Sequence, residues 1–232
     1  MTHRVRTITP GIVLLVVLVV VVMPFLPLLI SQQWRWAEAW AFGLTFSVGF
    51  VLSRLLVART HPDLLTERAR GLRQDDAEPW DITLAPIVGL GFGAIALVAG
   101  LDARYGWSGD FSTIAKLLAL AIILIGYALG TYAMCVNRFF SGMVRIQTDR
   151  GHEVVSRGPY RWVRHPGYVG ALMTYLASPI LLDAAWALVP AIAVGIALVV
   201  RTKLEDETLV AKLDGYREYA QRTRYRLLPG VW

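Results

Sequence analysis

Apolar residues fall in long runs along this chain, and charged residues collect in the gaps between them. Six runs stand out, over residues 11–30, 36–58, 82–101, 113–136, 167–182 and 185–200. A helix crosses a bilayer in about 20 apolar residues, because roughly 30 Å of hydrocarbon is spanned at about 1.5 Å per residue. The pattern predicts an all-α polytopic membrane bundle of about six spans. The last two runs are short and are separated only by Leu182-Asp183-Ala184. That spacing predicts a tight helical hairpin with Asp183 at the far membrane face.

Residues 201–228 change character. Apolar and aromatic residues recur at 204, 209, 213, 216, 219 and 220 among charges. This spacing predicts an amphipathic helical tail lying at the membrane interface. Gly215 is expected to interrupt it, with Asp214 capping a second helical piece. The chain thus divides into residues 1–136, N-terminal membrane helices of about four spans, and residues 137–232, a hairpin with an interfacial tail.

Composition agrees with a membrane protein. Hydrophobic residues make up 56% of the 232 and charged residues 17%, with a mean hydropathy of +0.51. The first run reads as a retained span. Its apolar stretch is long for a leader, and no A-x-A site follows it. The net charge is +6. Of 23 basic residues, all but Arg35, Arg104 and Lys116 fall on the side of the N-terminus when the spans alternate. The positive-inside rule then places both termini and the 138–166 loop in the cytosol. Orientation and contact with anionic membrane lipid account for the basic residues, so nucleic acid is not an expected partner.

Several motifs carry little. Gly91, Gly93 and Ala96 spell part of a dinucleotide fingerprint, but inside a span and without the strand it requires. Gly89 with Gly93, and Gly126 with Gly130, read as small-residue faces for close helix packing. The histidines, His3, His61, His152 and His165, have no metal-site spacing, and no metal is expected. Cys135 is the lone cysteine and reads as a small buried residue.

Two constellations remain, both on the inner face. One is VRIQTDRGHEVVSRGPYRWVRHPGYVG, just before the fifth run. Pro166 suits the first turn of that helix. His165 would stand at its N-cap, with Arg164 beside the positive end of the helix dipole, a favourable place for an anion. Tyr160 and Trp162 would offer aromatic surfaces. The other is Arg201 with Glu205, Asp206 and Glu207. Arg201 and Glu205 share a helix face at i and i+4. They could form a structural ion pair or act separately on a ligand.

Taken together, Gln147, HEVV at 152–155, Tyr160, RHPGY at 164–168, and Arg201 with Glu205 resemble the isoprenylcysteine carboxyl methyltransferase family over about residues 137–232. The gap from Gln147 to His152 is shorter than in eukaryotic members, and Asp206 stands where a second glutamate is frequent. The resemblance implies an integral membrane methyltransferase that uses S-adenosylmethionine on a lipophilic acceptor, a lipid or lipidated substrate bearing a carboxylate. It implies that Gln147, His152, Glu153, Val154, Val155, Tyr160, Arg164, His165, Pro166, Gly167, Tyr168 and Glu205 contact the cofactor. Arg201 would face the acceptor, and Arg201 and Glu205 would carry the catalysis. A phospholipid amine acceptor, or an NADPH-dependent reductase of related fold, are the alternatives.

Overall fold

A computed structural model describes residues 17–70 and 76–232. Residues 11–16 of the first run, and Arg4 and Arg6 before it, lie outside the described residues. The remainder of that run is helical, with a π-helical turn at Leu18–Val22, a 3-10 turn at Met23–Phe25, and α1 at Leu26–Ser31. The other runs form α2 (Ala37–Thr60), α4 (Asp81–Tyr105), α5 (Thr113–Val136), α6 (Pro166–Leu181) and α7 (Leu188–Lys212). Short helices α3 (Pro62–Arg68) and α8 (Tyr216–Arg222) lie outside the runs. No strand occurs among the described residues. The chain is an integral membrane protein of the all-α kind. Four helices, α2, α4, α5 and the one ending at Lys212, are long and apolar enough to cross a bilayer.

The packing is inside-out relative to a soluble bundle. Large apolar side chains such as Leu44, Leu55, Leu90, Ile114 and Ile196 face outward. Buried contacts are rich in Ala96, Ala99, Ala119, Ala177, Ala187 and Ala191. Lipid tails give no hydrophobic drive between helices, so small residues that let backbones approach carry the association. At the α5–α6 crossing a Cβ added to Gly170 would stand 2.3 Å from the Gly126 carbonyl oxygen. The expected small-residue faces hold only in part. Gly126 and Gly93 make close contacts, whereas a Cβ at Gly89 or Gly130 would meet nothing within 4 Å. Both of those glycines border a cavity instead.

The two ends of the bundle differ. At one end Lys116 bridges Glu38 at 2.6 Å and Asp183 at 2.9 Å. Asp183 sits in the α6–α7 turn, with φ 50°. At the other end, α6 stops short. Its 16 residues span about 24 Å against about 36 Å for the 24 of α5. The start of α6 is therefore sunk below the end of α5. Residues 137–165, largely without regular structure, fill the recess above it.

The tail corrects two expectations. The seventh helix does not end at the membrane but runs unbroken to Lys212. Gly215 itself, at φ 78°, is the N-cap of α8, and no side-chain cap bond comes from Asp214. The tail is packed against the bundle. Leu213, Tyr216 and Tyr219 pack with Tyr160 and Ala133 in a second core.

Candidate active site

The recess above α6 is held by three polar clusters. The first fixes the loop after α5. Arg145 is 3% exposed, and its guanidinium reaches Glu67 at 2.8 Å, Asp76 at 2.7 Å and Asp149 at 2.8 Å. Burial works against Asp63, yet hydrogen bonds from Arg150 and Arg138 hold its carboxyl down at about 2. Gln147, 1% exposed, donates its side-chain N–H to the Phe139 carbonyl at 2.7 Å and accepts from Arg150. Its backbone N–H donates to His152 Nδ1 at 3.2 Å.

The second cluster clasps the tail. Asp206, 2% exposed, accepts from Arg164 Nε at 2.6 Å and Nη2 at 2.8 Å, from Arg226 Nε at 2.8 Å and from the Tyr216 hydroxyl at 3.0 Å. Arg164 Nη1 also donates to the carbonyls of Thr223 and Arg224, each at 2.8 Å. The backbone N–H groups of Arg164 and His165 donate to Tyr225 and Arg226 at 2.9 and 3.0 Å. A bidentate guanidinium–carboxylate pair is both strong and directional. The geometry thus gives Arg164 to the tail, not to an anion at the start of α6.

The third cluster links the membrane helices. Arg201 donates through Nε and Nη2 to the two carboxylate oxygens of Asp81, at 2.7 and 2.9 Å. Its Nη1 donates to the Tyr168 hydroxyl at 2.7 Å, and that hydroxyl donates to Glu205 Oε2. A direct Arg201–Glu205 ion pair is therefore replaced by a relay through Tyr168. Asp81 is fully buried and also accepts the Val144 backbone N–H at 2.6 Å.

Between these clusters lies a cavity. Gln147, His152, Glu153, Val154, Val155, Tyr160, Arg164, His165, Gly167, Tyr168, Arg201 and Glu205 all line it. Pro166 does not; it is buried as the first residue of α6, with His165 at the N-cap as expected. Trp162 does not either; it is 73% exposed. A second cavity lies in the bundle below, among α2, α4, α5, α6 and α7. Both share Phe140, Ser141, Gly167, Tyr168 and Arg201 as walls. A polar cavity so joined to a chamber among apolar helices can hold a polar ligand against an amphiphile.

The model of the isoprenylcysteine carboxyl methyltransferase (ICMT) family matches residues 118–211. That match takes in less than half of the chain. The chain is also similar to probable protein-S-isoprenylcysteine O-methyltransferases of Oryza sativa subsp. indica and subsp. japonica, 30% identical to each over 66 residues. That alignment covers 28% of this chain and 35% of the length of each relative.

The ICMT-matched stretch contains every site residue expected from the sequence, but the cavity is completed from outside it. Tyr216 and Tyr219 come from α8, beyond residue 211. Asp81 lies 120 positions before Arg201. The sequence did hold a signal for Asp81. A carboxylate at the edge of an apolar run needs a partner, but the run does not name which arginine supplies it.

His152 lines the cavity with its ring tilted on Phe139 at 4.6 Å. Burial, then the charges of Arg145 and Arg150, depress it to about 4. The imidazole is therefore neutral at pH 7 in the folded state. An unfolded His titrates near 6.5, so the unfolded chain takes up the proton first as pH falls. The stability His152 contributes is fully present above about pH 6.5 and is lost towards pH 4. Thermal unfolding in detergent is expected to be less pH-dependent across this window for His152→Gln than for the unaltered protein. Equal slopes would contradict a neutral buried imidazole.

Proposed function

We propose that this protein is an integral membrane methyltransferase that moves a methyl group from S-adenosylmethionine to a lipophilic acceptor, with a carboxylate as the receiving group. The observation that carries this reading is the pairing of the two cavities. Residues from the family-matched stretch line the upper one, and Arg201 and Tyr168 stand in the wall it shares with the chamber among the membrane helices.

The residues present fit the cofactor. Only Oε2 of Glu205 is engaged among the described residues, which leaves Oε1 to receive an ammonium group. Phe139, Tyr160, Tyr216 and Tyr219 give an aromatic wall for an adenine ring or a cationic sulfur. Val154, Val155, Leu209 and Leu213 make an apolar floor. His165 is the basic group left near the start of α6, since Arg164 is held by the tail.

When bound, the cofactor supplies a methyl carbon on a positively charged sulfur, and its transfer to a carboxylate oxygen breaks the C–S bond without releasing a proton. No residue here need act as a base. The protein's part is orientation, which can contribute about 7–11 kcal/mol to lowering a barrier. Asp81 fixes the plane of the Arg201 guanidinium, and Arg201 fixes the Tyr168 hydroxyl that orients Glu205. One Nη1 hydrogen of Arg201 has no partner among the described residues, which leaves it for the acceptor carboxylate.

Calorimetry with S-adenosylmethionine and with NADPH, on protein in detergent, separates methyl transfer from reduction. No binding of S-adenosylmethionine at millimolar concentration would sink the proposal. Glu205→Gln keeps the shape and removes the charge. A charge-assisted hydrogen bond is worth about 1.5–3 kcal/mol, so S-adenosylmethionine affinity is expected to fall about 10- to 100-fold. Unchanged affinity would remove Glu205 from the site. The basic end of the bundle, which holds the site, is proposed to face the cytosol. In a Cys135→Ser background, an impermeant thiol reagent outside intact cells should reach Ser108→Cys and miss Arg157→Cys. The reverse pattern would put the site on the other side.

A further inference from the structure

The lower chamber carries two positive charges that the proposed methyl transfer leaves without a task. Arg54 on α2 and Arg68 on α3 both line it. Arg54 lies six residues before the end of α2, about 9 Å down the helix. An ionisable group inside a membrane helix is costly and is expected to have a partner. Its protein partners are weak ones. Nη1 donates to Met134 Sδ at 3.4 Å, and the guanidinium sits 4.6 Å over the Phe50 ring. Arg68 donates to the Phe140 carbonyl at 3.1 Å and lies 5.6 Å from the centre of that ring. Among the described residues neither arginine meets a carboxylate within 4.0 Å, and no Asp or Glu lines the chamber.

Two further observations point the same way. Ser53, next to Arg54, is 2% exposed and lines the chamber, yet its hydroxyl has no hydrogen-bond partner among the described residues. Burial, then the charges of Arg54 and Arg201, depress Arg68 to about 9. An anion among these groups would offset both the repulsion and the unpaired hydroxyl. The room for an apolar tail is also present. A groove between α2 and α5 shares Ser53, Tyr127 and Thr131 with the chamber and is otherwise lined by residues such as Leu52, Leu56 and Leu124.

We propose that Arg54 and Arg68, with the Ser53 hydroxyl, form the head-group subsite of the chamber and receive an anionic group at the end of a hydrocarbon tail that leaves between α2 and α5. That this amphiphile is the methyl acceptor rests on the function proposed above; that the subsite binds it does not. All three residues precede the family-matched stretch. The chain's own N-terminal helices then contribute the head-group contacts to substrate choice.

The test uses the full chain in nanodiscs of zwitterionic lipid and measures binding of dodecanoate, dodecyl phosphate, dodecanol and dodecyltrimethylammonium. Both anions share the tail of the other two probes, so the head group alone differs. At least one anion is expected to bind about tenfold or more tighter than dodecanol, as charge-assisted hydrogen bonds in a dry site require. The tighter of the two tells a carboxylate from a phosphate head. Arg54→Gln and Arg68→Gln should each remove most of that preference while S-adenosylmethionine affinity stays unchanged. Equal binding of all four probes, or a preference that survives both substitutions, would overturn the subsite. If neither variant folds, Arg54→Lys and Arg68→Lys keep the charge and lose the planar fork; each should weaken the anion preference, and a preference unchanged in both would overturn the subsite. Anion preference without any S-adenosylmethionine binding would keep the subsite and remove the methyl-transfer reading.

Discussion

Replacing Asp206 with alanine is expected to destabilise the protein by about 3–5 kcal/mol and to release its C-terminal segment. Removing one partner of a buried ion pair leaves the other charge buried and uncompensated, and that imbalance sets the magnitude. Here two guanidiniums are left, because Arg164 forks onto Asp206 and Arg226 donates to it through Nε. Tyr216 loses its acceptor as well. The Arg164 contacts to the carbonyls of Thr223 and Arg224 depend on the same fixed guanidinium. The tail supplies Tyr216 and Tyr219 to the polar cavity, so ligand binding there should weaken along with stability. Trypsin reports the release directly, since Arg222 and Arg224 lie in the segment the clasp holds. Asp206→Ala with an unaltered melting temperature and no faster cleavage at these arginines would mean that aromatic packing alone seats the tail.

Asp81→Asn is the second large effect. The amide keeps an acceptor for the Val144 N–H but presents an NH₂ group to a guanidinium that can only donate. A loss of about 3–5 kcal/mol follows from the same uncompensated charge, this time Arg201, 5% exposed. The functional consequence travels through contacts already named. An Arg201 freed from Asp81 no longer fixes the Tyr168 hydroxyl, and Glu205 loses its orientation. The double variant Asp81→Asn/Arg201→Gln separates the pair energy from other damage. Its cost should be well below the sum of the single costs, because the unpaired charge is gone. Additive costs would show that the pair is not coupled, and would leave Arg201 without a positioning partner.

The position of the site was readable to different degrees for different residues, and the reason lies in sequence distance. Pro166 and His165 could be placed because a helix start has local chemistry: proline fits the first turn and disfavours helical backbone at the residue before it. The turn at Asp183 was legible because it separates two apolar runs. Arg164 was misread. From its place beside a helix start it looked available to an anion, but its partner Asp206 is 42 positions away and its backbone partners about 60. Arg201 and Glu205 were rightly put on one face, yet a face does not say whether a tyrosine from another helix stands between them.

The sequence by itself determined the spans and the amphipathic segment that follows them. Each is fixed by periodicity and by the length needed to cross hydrocarbon, properties that do not depend on what the helix packs against. Tertiary structure alone decided which charges pair. In lipid, a buried ionisable group must find a partner wherever the bundle brings one within reach. Asp81 with Arg201 joins two membrane helices, Asp206 with Arg164 and Arg226 joins a helix to a loop and to the tail, and the chamber around Arg54 and Arg68 has no carboxylate among the described residues; helix crossings such as the one at Gly126 and Gly170 bring such distant segments together. Those crossings depend on steric fit between segments far apart in the chain, which no local pattern encodes.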